Sequence, residues 1–221
     1  MIKENLYKIK QQGLRFLKNS FKPYYKTQNN YWIQKVSLKR ANDREAFFIK
    51  HCNNKNVVHF GCTDWPVFNS KNNLHIKLNN YAKTLHGFDI DKVGIENLKK
   101  YVNQNYYSDY TDILNNKYDV CLVPETIEHV DNVKEFLVNI SKINADKFLI
   151  TAPNCFAKGR HKRNLIKNDY MIELVHPDHN CWYSPYTLKN QIEKYSNLTV
   201  VNVYLLENER MICCEATKIS D

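Results

Sequence analysis

Short apolar strands alternate with amphipathic helices along most of the chain, and this alternation limits the folds available to it. Strands are predicted at 56–60, 84–89, 105–107, 118–123, 147–151, 198–205 and 210–217, and helices at about 72–83, 92–103, 133–143 and 185–195. The pattern predicts an α/β fold, a Rossmann-like, mostly parallel sheet of seven strands with helices on both faces. Little more than Glu207-Asn208-Glu209 separates the last two strands. We therefore expect them to pair as a C-terminal antiparallel hairpin.

Positive charge is concentrated at the start of the chain. Residues 1–50 contain 12 of the 32 basic and 3 of the 23 acidic residues, which leaves the rest of the chain balanced. We expect a basic helical extension over 1–50, with its second helix at about 34–51, and a separate domain over 51–221. The extension is interpreted first as a solvated cover over the crevice. An anionic membrane surface or acidic substrate is the second interpretation and nucleic acid the third.

The cysteines and the hydropathy pattern favour a reducing compartment. Seven cysteines form no CxxC pair, and most lie in apolar runs such as YDVCLV. The sequence shows no signal-peptide pattern, and no apolar run approaches the ~18 residues of a membrane span. The expected location is cytoplasmic, with peripheral contact at the inner face of the membrane as the further option.

Ligands of an open α/β sheet bind at the carboxyl ends of the strands, beside the first strand of the sheet. That rule brings together four polar segments of this sequence, which are 61–66, 89–91, 124–129 and 153–184. Gly61 can adopt a positive φ and let a ligand approach the backbone, although a tight turn alone would also explain it. Asp64 would repel a phosphate, so an amino-bearing ligand is favoured there.

Three further acids follow the second and third strands. Asp89 is placed to accept hydrogen bonds from ribose hydroxyls, whereas Asp91 is predicted to cap the next helix. Asp109 is interpreted either as an acceptor for an exocyclic amine, with Tyr107 or Tyr110 beside the base, or as a solvated loop acid.

The order of motifs VVHFGCTD, GFDID, SDYTD, YDVCLVPETIEHVDN and FLITAPN resembles class I S-adenosylmethionine-dependent methyltransferases over 56–217. The small-molecule branch with an E-x-x-E-H element is most similar. PETIEHV and HPDHNCWYSPYTL resemble bacterial methyltransferases of surface-sugar or lipid biosynthesis. The resemblance implies S-adenosylmethionine as the cofactor and a seven-stranded sheet ending in a hairpin.

The resemblance also implies roles for individual residues. Backbone contacts would come from Gly61 and Cys62, the methionyl amine would lie near Asp64, and Asp89 with Ile90 would hold the ribose. The adenine would lie by Asp109 and Tyr110, and the wall beside the sulfonium would be Pro124 and Glu125. Thr63 stands where the family has a second glycine, so this loop departs from the pattern.

The base that removes a proton from the methyl acceptor is expected among the histidines after the fourth strand and in the long loop. His129, His176 and His179 are the candidate bases, with a structural cap as the alternative for His129. Trp182 and Tyr183 offer rings for a sugar or another flat apolar face.

No metal site is predicted. A zinc site at His176, Asp178, His179 and Cys181 is the minor alternative, because one loop rarely supplies a closed tetrahedral set. The sequence as a whole predicts methyl transfer to a hydroxyl or amine of a small molecule, with a sugar or glycan precursor favoured. A non-catalytic cofactor-binding scaffold, serving as an assembly partner, is the alternative.

Overall fold

The computed structural model describes residues 34–157, 165–167 and 169–219, with the backbone alone for 165–167. The helical stretch predicted before residue 34 lies outside these residues. Ser37–Asp221 form one compact unit. Its strands are β1 (Lys39–Ala41), β2 (Asn56–Phe60), β3 (Thr84–Phe88), β4 (Tyr106–Tyr107), β5 (Lys117–Val123), β6 (Asn144–Pro153), β7 (Leu165–Lys167), β8 (Tyr170–Ile172), β9 (Leu198–Leu206) and β10 (Met211–Lys218).

Helices occupy most of the crossovers between the strands. They are α1 (Arg44–Cys52), α2 (Leu74–Leu78), α3 (Lys92–Leu98), α4 (Thr111–Leu114), α5 (Val133–Lys142) and α6 (Pro185–Tyr195). The predicted helix at 185–195 is confirmed, and Ser184 begins it with a capping box. Helices α2 and α3 are shorter than predicted. No helix in the described part of the chain is long and apolar enough to cross a membrane.

The main sheet has the strand order β1-β9-β10-β6-β5-β2-β3-β4. Strand β10 runs antiparallel to both of its neighbours, and every other pair is parallel. This confirms the predicted mostly parallel sheet and its C-terminal hairpin. Strands β7 and β8 form a separate two-stranded ribbon within the long loop after β6, which the sequence did not predict.

The sheet has eight strands instead of seven because residues 39–41 are a strand and not part of a helix. Lys39–Ala41 pairs in parallel with Tyr204–Leu206 at the edge of the sheet. Helix α1 begins only at Arg44, where the side chain of Asp43 accepts a hydrogen bond from Ala46 N. Aspartate is more favourable at a helix N-cap than inside a helix. The continuous helix predicted over 34–51 is therefore wrong in its first part. Residues 39–41 form a strand, and the helix covers only Arg44–Cys52.

The core between α1 and the sheet is apolar and continuous. Phe47 and Phe48 of α1 pack against alternate strand residues of one sheet face, which include Val57, Leu85, Leu122, Leu149, Leu206 and Cys213. Five cysteines are buried and serve as small hydrophobic residues, Cys52, Cys62, Cys121, Cys213 and Cys214. Residues 39–52 thus fold with the sheet. The division of the chain into a basic extension and a catalytic domain stays a prediction.

Strand β2 lies between β3 and β5, and the chain leaves all three strands at the same edge of the sheet. The residues that follow these strands are Gly61, Asp89 and Pro124. The candidate site is built from these three exits and from the first turn of α1.

Candidate active site

A tight turn follows β2. Gly61 adopts φ +64, and its amide donates a hydrogen bond to the carbonyl of Phe88 at 2.9 Å. A Cβ added at Gly61 would lie 2.9 Å from Oγ1 of Thr126. Position 61 therefore requires glycine both for its backbone conformation and for the close approach of the loop after β5.

Asp89 directly follows β3, and its side chain is hydrogen-bonded to the loop after β2. Its Oδ2 accepts hydrogen bonds from the amide and hydroxyl of Thr63 at 3.1 and 2.7 Å, and its Oδ1 accepts from Asp91 N at 3.0 Å. The side chain of Asp91 caps α3 through Val93 N and Gly94 N, as predicted. A carboxylate offers about four acceptor positions, so Asp89 keeps roughly one of them, on Oδ1, for a ligand.

A cavity of about 400 Å³ opens beside this carboxylate. Four residues with predicted cofactor contacts line it, namely Gly61, Asp89, Ile90 and Tyr110. Its other lining residues are Phe60, Phe88, Thr126, Val130, Asp131, Asn132, Glu135, Phe136 and Asn139. Its wall is largely apolar and also includes polar side chains, as small-molecule sites commonly do.

Tyr110 forms part of the apolar wall. Its ring lies 5.6 Å from that of Phe60 and 5.3 Å from that of Phe88 between centroids. Its hydroxyl is buried and has no hydrogen-bond partner among the described residues. Burial raises the pKa of Tyr110. An unpaired buried hydroxyl is costly, so a ligand that bonds to it would be favoured.

Asp109 is exposed and does not line the cavity. Its Oδ1 accepts hydrogen bonds from the amide and hydroxyl of Thr111 at 2.8 and 2.7 Å, and these bonds lower the pKa of Asp109. Of the two residues expected at the adenine, the structure therefore places Tyr110 against the ligand space. The adenine contact of Asp109 stays a prediction.

The loop after β5 brings a carboxylate next to α1. Pro124 is buried, and the amide of Glu125 donates to Oγ1 of Thr151 at 3.0 Å. Nη2 of Arg44 lies 2.7 Å from Oε2 of Glu125. Burial raises the pKa of Glu125, and the positive charge of Arg44 partly opposes that shift.

Cys62 and Asp64 are both held by Asn73. Its side-chain amide donates to the carbonyl of Cys62 at 3.0 Å and to Oδ2 of Asp64 at 2.9 Å. Burial raises the pKa of Asp64, whereas the bond from Asn73 and the charge of Arg44 lower it. Cys62 is fully buried and its amide donates to the carbonyl of Phe88 at 3.5 Å, so its backbone contact with a ligand stays a prediction.

The three candidate bases lie together. Ring centroids are 4.6 Å apart for His129 and His179, and 5.6 Å apart for the other two pairs. We call His129, His176 and His179 the histidine triad. Asn180 joins its two loops, because its amide donates to the carbonyl of Glu128 at 2.8 Å and its side chain to that of His129 at 2.9 Å. Burial is the main cause that lowers the pKa of His129.

The two aromatic residues after the triad have different surroundings. Trp182 is half-buried, with its ring 6.0 Å from that of His179. Tyr183 is buried, and its hydroxyl donates to Oε1 of Gln191 at 3.1 Å. The structure thus leaves Trp182 beside the triad and packs Tyr183 into the core, and the predicted substrate contact of Tyr183 gains no support from this placement.

Three residues of the site were not predicted from the sequence. Arg44 was assigned to the middle of a helix, although the Asp43 N-cap is a signal that would have placed it in a first turn. Thr63 was seen only as a departure from glycine. Glu128 is 1 % exposed, its carboxylate oxygens have no partner on another residue within the described ranges, and burial raises its pKa to about 8.

A mostly parallel sheet with this strand order, a C-terminal antiparallel hairpin and a cavity beside an acid after the second crevice strand agree with the class I S-adenosylmethionine-dependent methyltransferase fold that the motifs predict. A family model described as a methyltransferase domain matches residues 33–203, and the chain belongs to this family. S-adenosylmethionine is its cofactor. No curated protein sequence matches the chain.

Solved structures share the fold at low sequence identity. One, described as a type 11 methyltransferase from Sulfolobus solfataricus, has 14 % identity and a TM-score of 0.57, covering 82 % of this chain and 95 % of that one. The DhpI-SAH complex has 12 % identity and a TM-score of 0.53, covering 80 % and 84 %. The N-methyltransferase NodS from Bradyrhizobium japonicum WM9 has 13 % identity and a TM-score of 0.52, covering 80 % and 95 %.

The cavity suits the nucleoside part of this cofactor. Asp89 offers an acceptor to a ribose hydroxyl, and the unpaired hydroxyl of Tyr110 offers a partner to a polar edge of the base. Ile90 lines the cavity although 83 % of it is exposed, which is the placement of a residue that a flat ligand would cover. The residues present therefore fit S-adenosylmethionine.

Proposed function

We propose that this methyltransferase transfers a methyl group to a hydroxyl or amine of a small molecule, with a sugar or glycan precursor as the favoured acceptor. One observation carries the proposal. The loop after β5 contributes Thr126 and Val130 to the nucleoside cavity and His129 to the histidine triad. A single short loop thus connects the nucleoside cavity to a cluster of side chains that can accept a proton.

The cofactor would be held at both ends by residues of this chain. Asp89 and Tyr110 would bond the ribose and the adenine, and the bend at Gly61 would let the backbone approach. At the methionyl end, the carboxylates of Asp64 and Glu125 suit an ammonium group. Arg44 acts on both carboxylates and suits the methionyl carboxylate.

Methyl transfer requires the acceptor atom to lie in line with the reacting bond, and positioning of this kind can supply about 7–11 kcal/mol of the barrier. When bound, S-adenosylmethionine supplies an electrophilic methyl group on a sulfonium. The ring of Trp182 would orient a flat face of the acceptor. The histidine triad would receive the proton of an acceptor hydroxyl, a step that a placed base accelerates by about 10²–10⁴.

Acceptors with an acidic group are favoured by the basic residues in the first part of the chain. The 12 basic residues among the first 50 suit a sugar nucleotide, a lipid-linked sugar or an anionic membrane surface. A nucleic-acid acceptor is disfavoured because the rest of the chain carries no net positive charge. Residence in the cytoplasm, with peripheral contact at the membrane, belongs to the same proposal, as does a place in polysaccharide biosynthesis.

The test combines binding with turnover on the full chain. Affinity for S-adenosylmethionine is measured by calorimetry, and transfer of a labelled methyl group is followed onto a panel of sugar nucleotides, lipid-linked sugars and RNA. Label on a sugar-containing acceptor supports the proposal. Label on RNA alone overturns the acceptor class. Tight binding with no transfer to any acceptor would instead favour a non-catalytic scaffold. Asp89→Ala is the comparison variant, and it should weaken cofactor binding and methyl transfer together.

A further inference from the structure

We propose that the histidine triad binds a transition-metal dication, with one coordination position open toward the acceptor. His129 comes from the loop after β5, and His176 and His179 come from the long loop before α6. One nitrogen atom of each ring can be chosen so that all three lie within 4.8 Å of one another. Three imidazoles from two separate loops are more than proton transfer requires, and they are the donor type that zinc, cobalt and nickel prefer.

The spacing of the nitrogens suits a metal after small ring movements. Zinc–nitrogen bonds of ~2.0–2.1 Å in a tetrahedral site place ligand nitrogens roughly 3.4 Å apart. The three nitrogens must therefore approach by about 1.4 Å at most, a change that side-chain rotation of exposed rings can supply. His129 and His176 are exposed, so their rings have room to turn toward the half-buried His179.

The two loops are already fixed to each other. Asn180 donates from its backbone to the carbonyl of Glu128 and from its side chain to the carbonyl of His129. These bonds hold the residue after His179 against the residue that carries the third ring. The triad is therefore arranged before any ion binds, which reduces the ordering cost of binding.

The surroundings favour a positive ion. Oδ2 of Asp178 lies 3.8 Å from Nδ1 of His176. Asp131 lies on the loop that carries His129, with Oδ1 3.5 Å from the side-chain amide of Asn180. Carboxylates beside histidine ligands orient the rings and strengthen metal sites.

The number of ligands indicates a catalytic site and not a structural one. The cluster supplies three protein ligands among the described residues. Structural zinc sites are closed by four protein ligands, whereas catalytic sites keep three and leave the fourth position to water or substrate. The composition of the set also differs from the zinc alternative considered from the sequence, because His129 takes part and Cys181 does not.

An open coordination position on the metal ion could bind the acceptor hydroxyl next to the cofactor loop. This use of the metal rests on the function proposed above. Ligated ring nitrogens no longer accept a proton, so the dication would take over activation by lowering the pKa of an acceptor hydroxyl. The hydroxyl proton leaves to solvent, and its oxygen forms a bond to the methyl carbon. The carbon–sulfur bond breaks with its electron pair remaining on sulfur.

The binding test uses the tag-free full chain, stripped with a chelator and titrated with Co²⁺ and separately with Zn²⁺. We expect one equivalent of Co²⁺ to produce the visible absorption of a tetrahedral site and Zn²⁺ to displace it. His129→Gln, His176→Gln and His179→Gln should each weaken Zn²⁺ binding by about 100-fold or more, since loss of a group that only hydrogen-bonds to a ligand already costs about 10–100-fold. His86→Gln, a half-buried histidine on β3, is the matched control and should bind as the unchanged chain does.

The outcomes are distinct for the metal site and for the proposed function. Absence of saturable Co²⁺ binding, or equal weakening in His86→Gln and the triad variants, overturns the metal site. Melting curves of each variant separate loss of ligands from loss of fold. Stripped protein should still bind S-adenosylmethionine, and methyl transfer should return when Zn²⁺ or Co²⁺ is restored. Failure to bind S-adenosylmethionine contradicts the proposed function instead and leaves the metal result standing.

Discussion

Arg44 and Glu125 form an ion pair, with 2.7 Å between Nη2 and Oε2, that joins the first turn of α1 to the loop after β5. The pair places a positive charge among the carboxylates of the candidate methionyl site. Two residues separate the edge strand β1 from α1, and the N-cap Asp43 directly precedes Arg44. Arg44 thus lies close along the chain to a strand that pairs with β9.

Replacing Arg44 with Met should weaken binding of S-adenosylhomocysteine by about 10-fold, since a hydrogen bond to a charged group contributes about 1.5–3 kcal/mol and this pair is half-exposed. The pKa of Glu125 should rise further, because Arg44 is the positive charge that lowers it. Calorimetry measures the affinity. Arg40→Met removes an arginine that pairs with Glu209 on the surface, and it should leave affinity unchanged. Equal affinities in the two variants would rule out a role for Arg44 at the site.

Asp89→Ala should weaken cofactor binding by about 1.5–3 kcal/mol through loss of the ribose contact. Because Asp89 also holds Thr63, the variant needs two controls. Thr63→Val removes the bond from Oγ1 and keeps the carboxylate, so its affinity should change only a few-fold, about 0.5–1 kcal/mol. Asp91→Ala removes the cap of α3 and should reduce thermal stability more than affinity. If Thr63→Val lost as much affinity as Asp89→Ala, loop positioning and not ribose binding would explain the effect.

Tyr110→Phe should have opposite effects on stability and on binding. The hydroxyl of Tyr110 is buried without a partner among the described residues, so its removal should raise the melting temperature of the unliganded chain. The same change should weaken cofactor binding, because the bond to the ligand is lost. Differential scanning calorimetry with and without S-adenosylhomocysteine measures both effects. A variant that is destabilised in both states would contradict this assignment.

Gly61→Ala should destabilise the chain by about 1–2 kcal/mol, the usual cost of left-handed backbone for a residue with a Cβ. The added Cβ would also meet Oγ1 of Thr126 at 2.9 Å. Adding Thr126→Ala to that variant should relieve the contact and recover part of the loss, whereas the backbone cost remains. Denaturant unfolding of the single and double variants measures the two contributions. No recovery in the double variant would show that the contact costs little.

Acid should destabilise the fold through a buried histidine pair. Nδ1 of His59 and Nδ1 of His75 lie 3.2 Å apart with both rings buried. Burial lowers the pKa of His75 to about 3 and that of His59 well below its ordinary 6.5. Both groups therefore stay neutral in the folded chain while the unfolded chain takes up protons, so their contribution is complete above pH 6.5 and declines below it.

Each histidine of this kind adds a slope of about 1.4 kcal/mol per pH unit to the free energy of unfolding. We expect stability to fall between pH 6.5 and pH 4, measured by urea unfolding. His75→Asn retains a group that can bond His59 and removes one titration, so it should reduce the slope by about that amount. An unchanged slope in this variant would show that another group takes up the proton.

The order of the crevice strands and their hairpin could be predicted because each rests on a local signal. The apolar runs of β2, β3 and β5 are long enough to be recognised alone, and the four residues between β9 and β10 are too few for a crossover. The positions of Gly61 and Asp89 then follow from topology. Strand β1 could not be predicted in this way, because three residues with two charges have no strand pattern, and only their pairing with β9 makes them a strand.

Side-chain contacts between distant segments also could not be predicted from the sequence. Arg44 meets Glu125 across 81 positions of sequence, and His129 meets His179 across 50. Spacing along the chain carries no information about such pairs. The sequence also could not show that Tyr110 lines the cavity while its neighbour Asp109 is exposed, or that Tyr183 is buried while its neighbour Trp182 is half-buried.

The lengths of the two outermost strands of the main sheet affect how copies of this protein behave toward one another. Strand β1 has three residues and β4 has two, so each border presents few unpaired amides and carbonyls. A foreign strand that docked at either border would gain only a few backbone bonds, and Lys39 and Arg40 would add charge repulsion between copies at one of them. This arrangement keeps a sheet of eight strands from serving as a template for fibrillar growth.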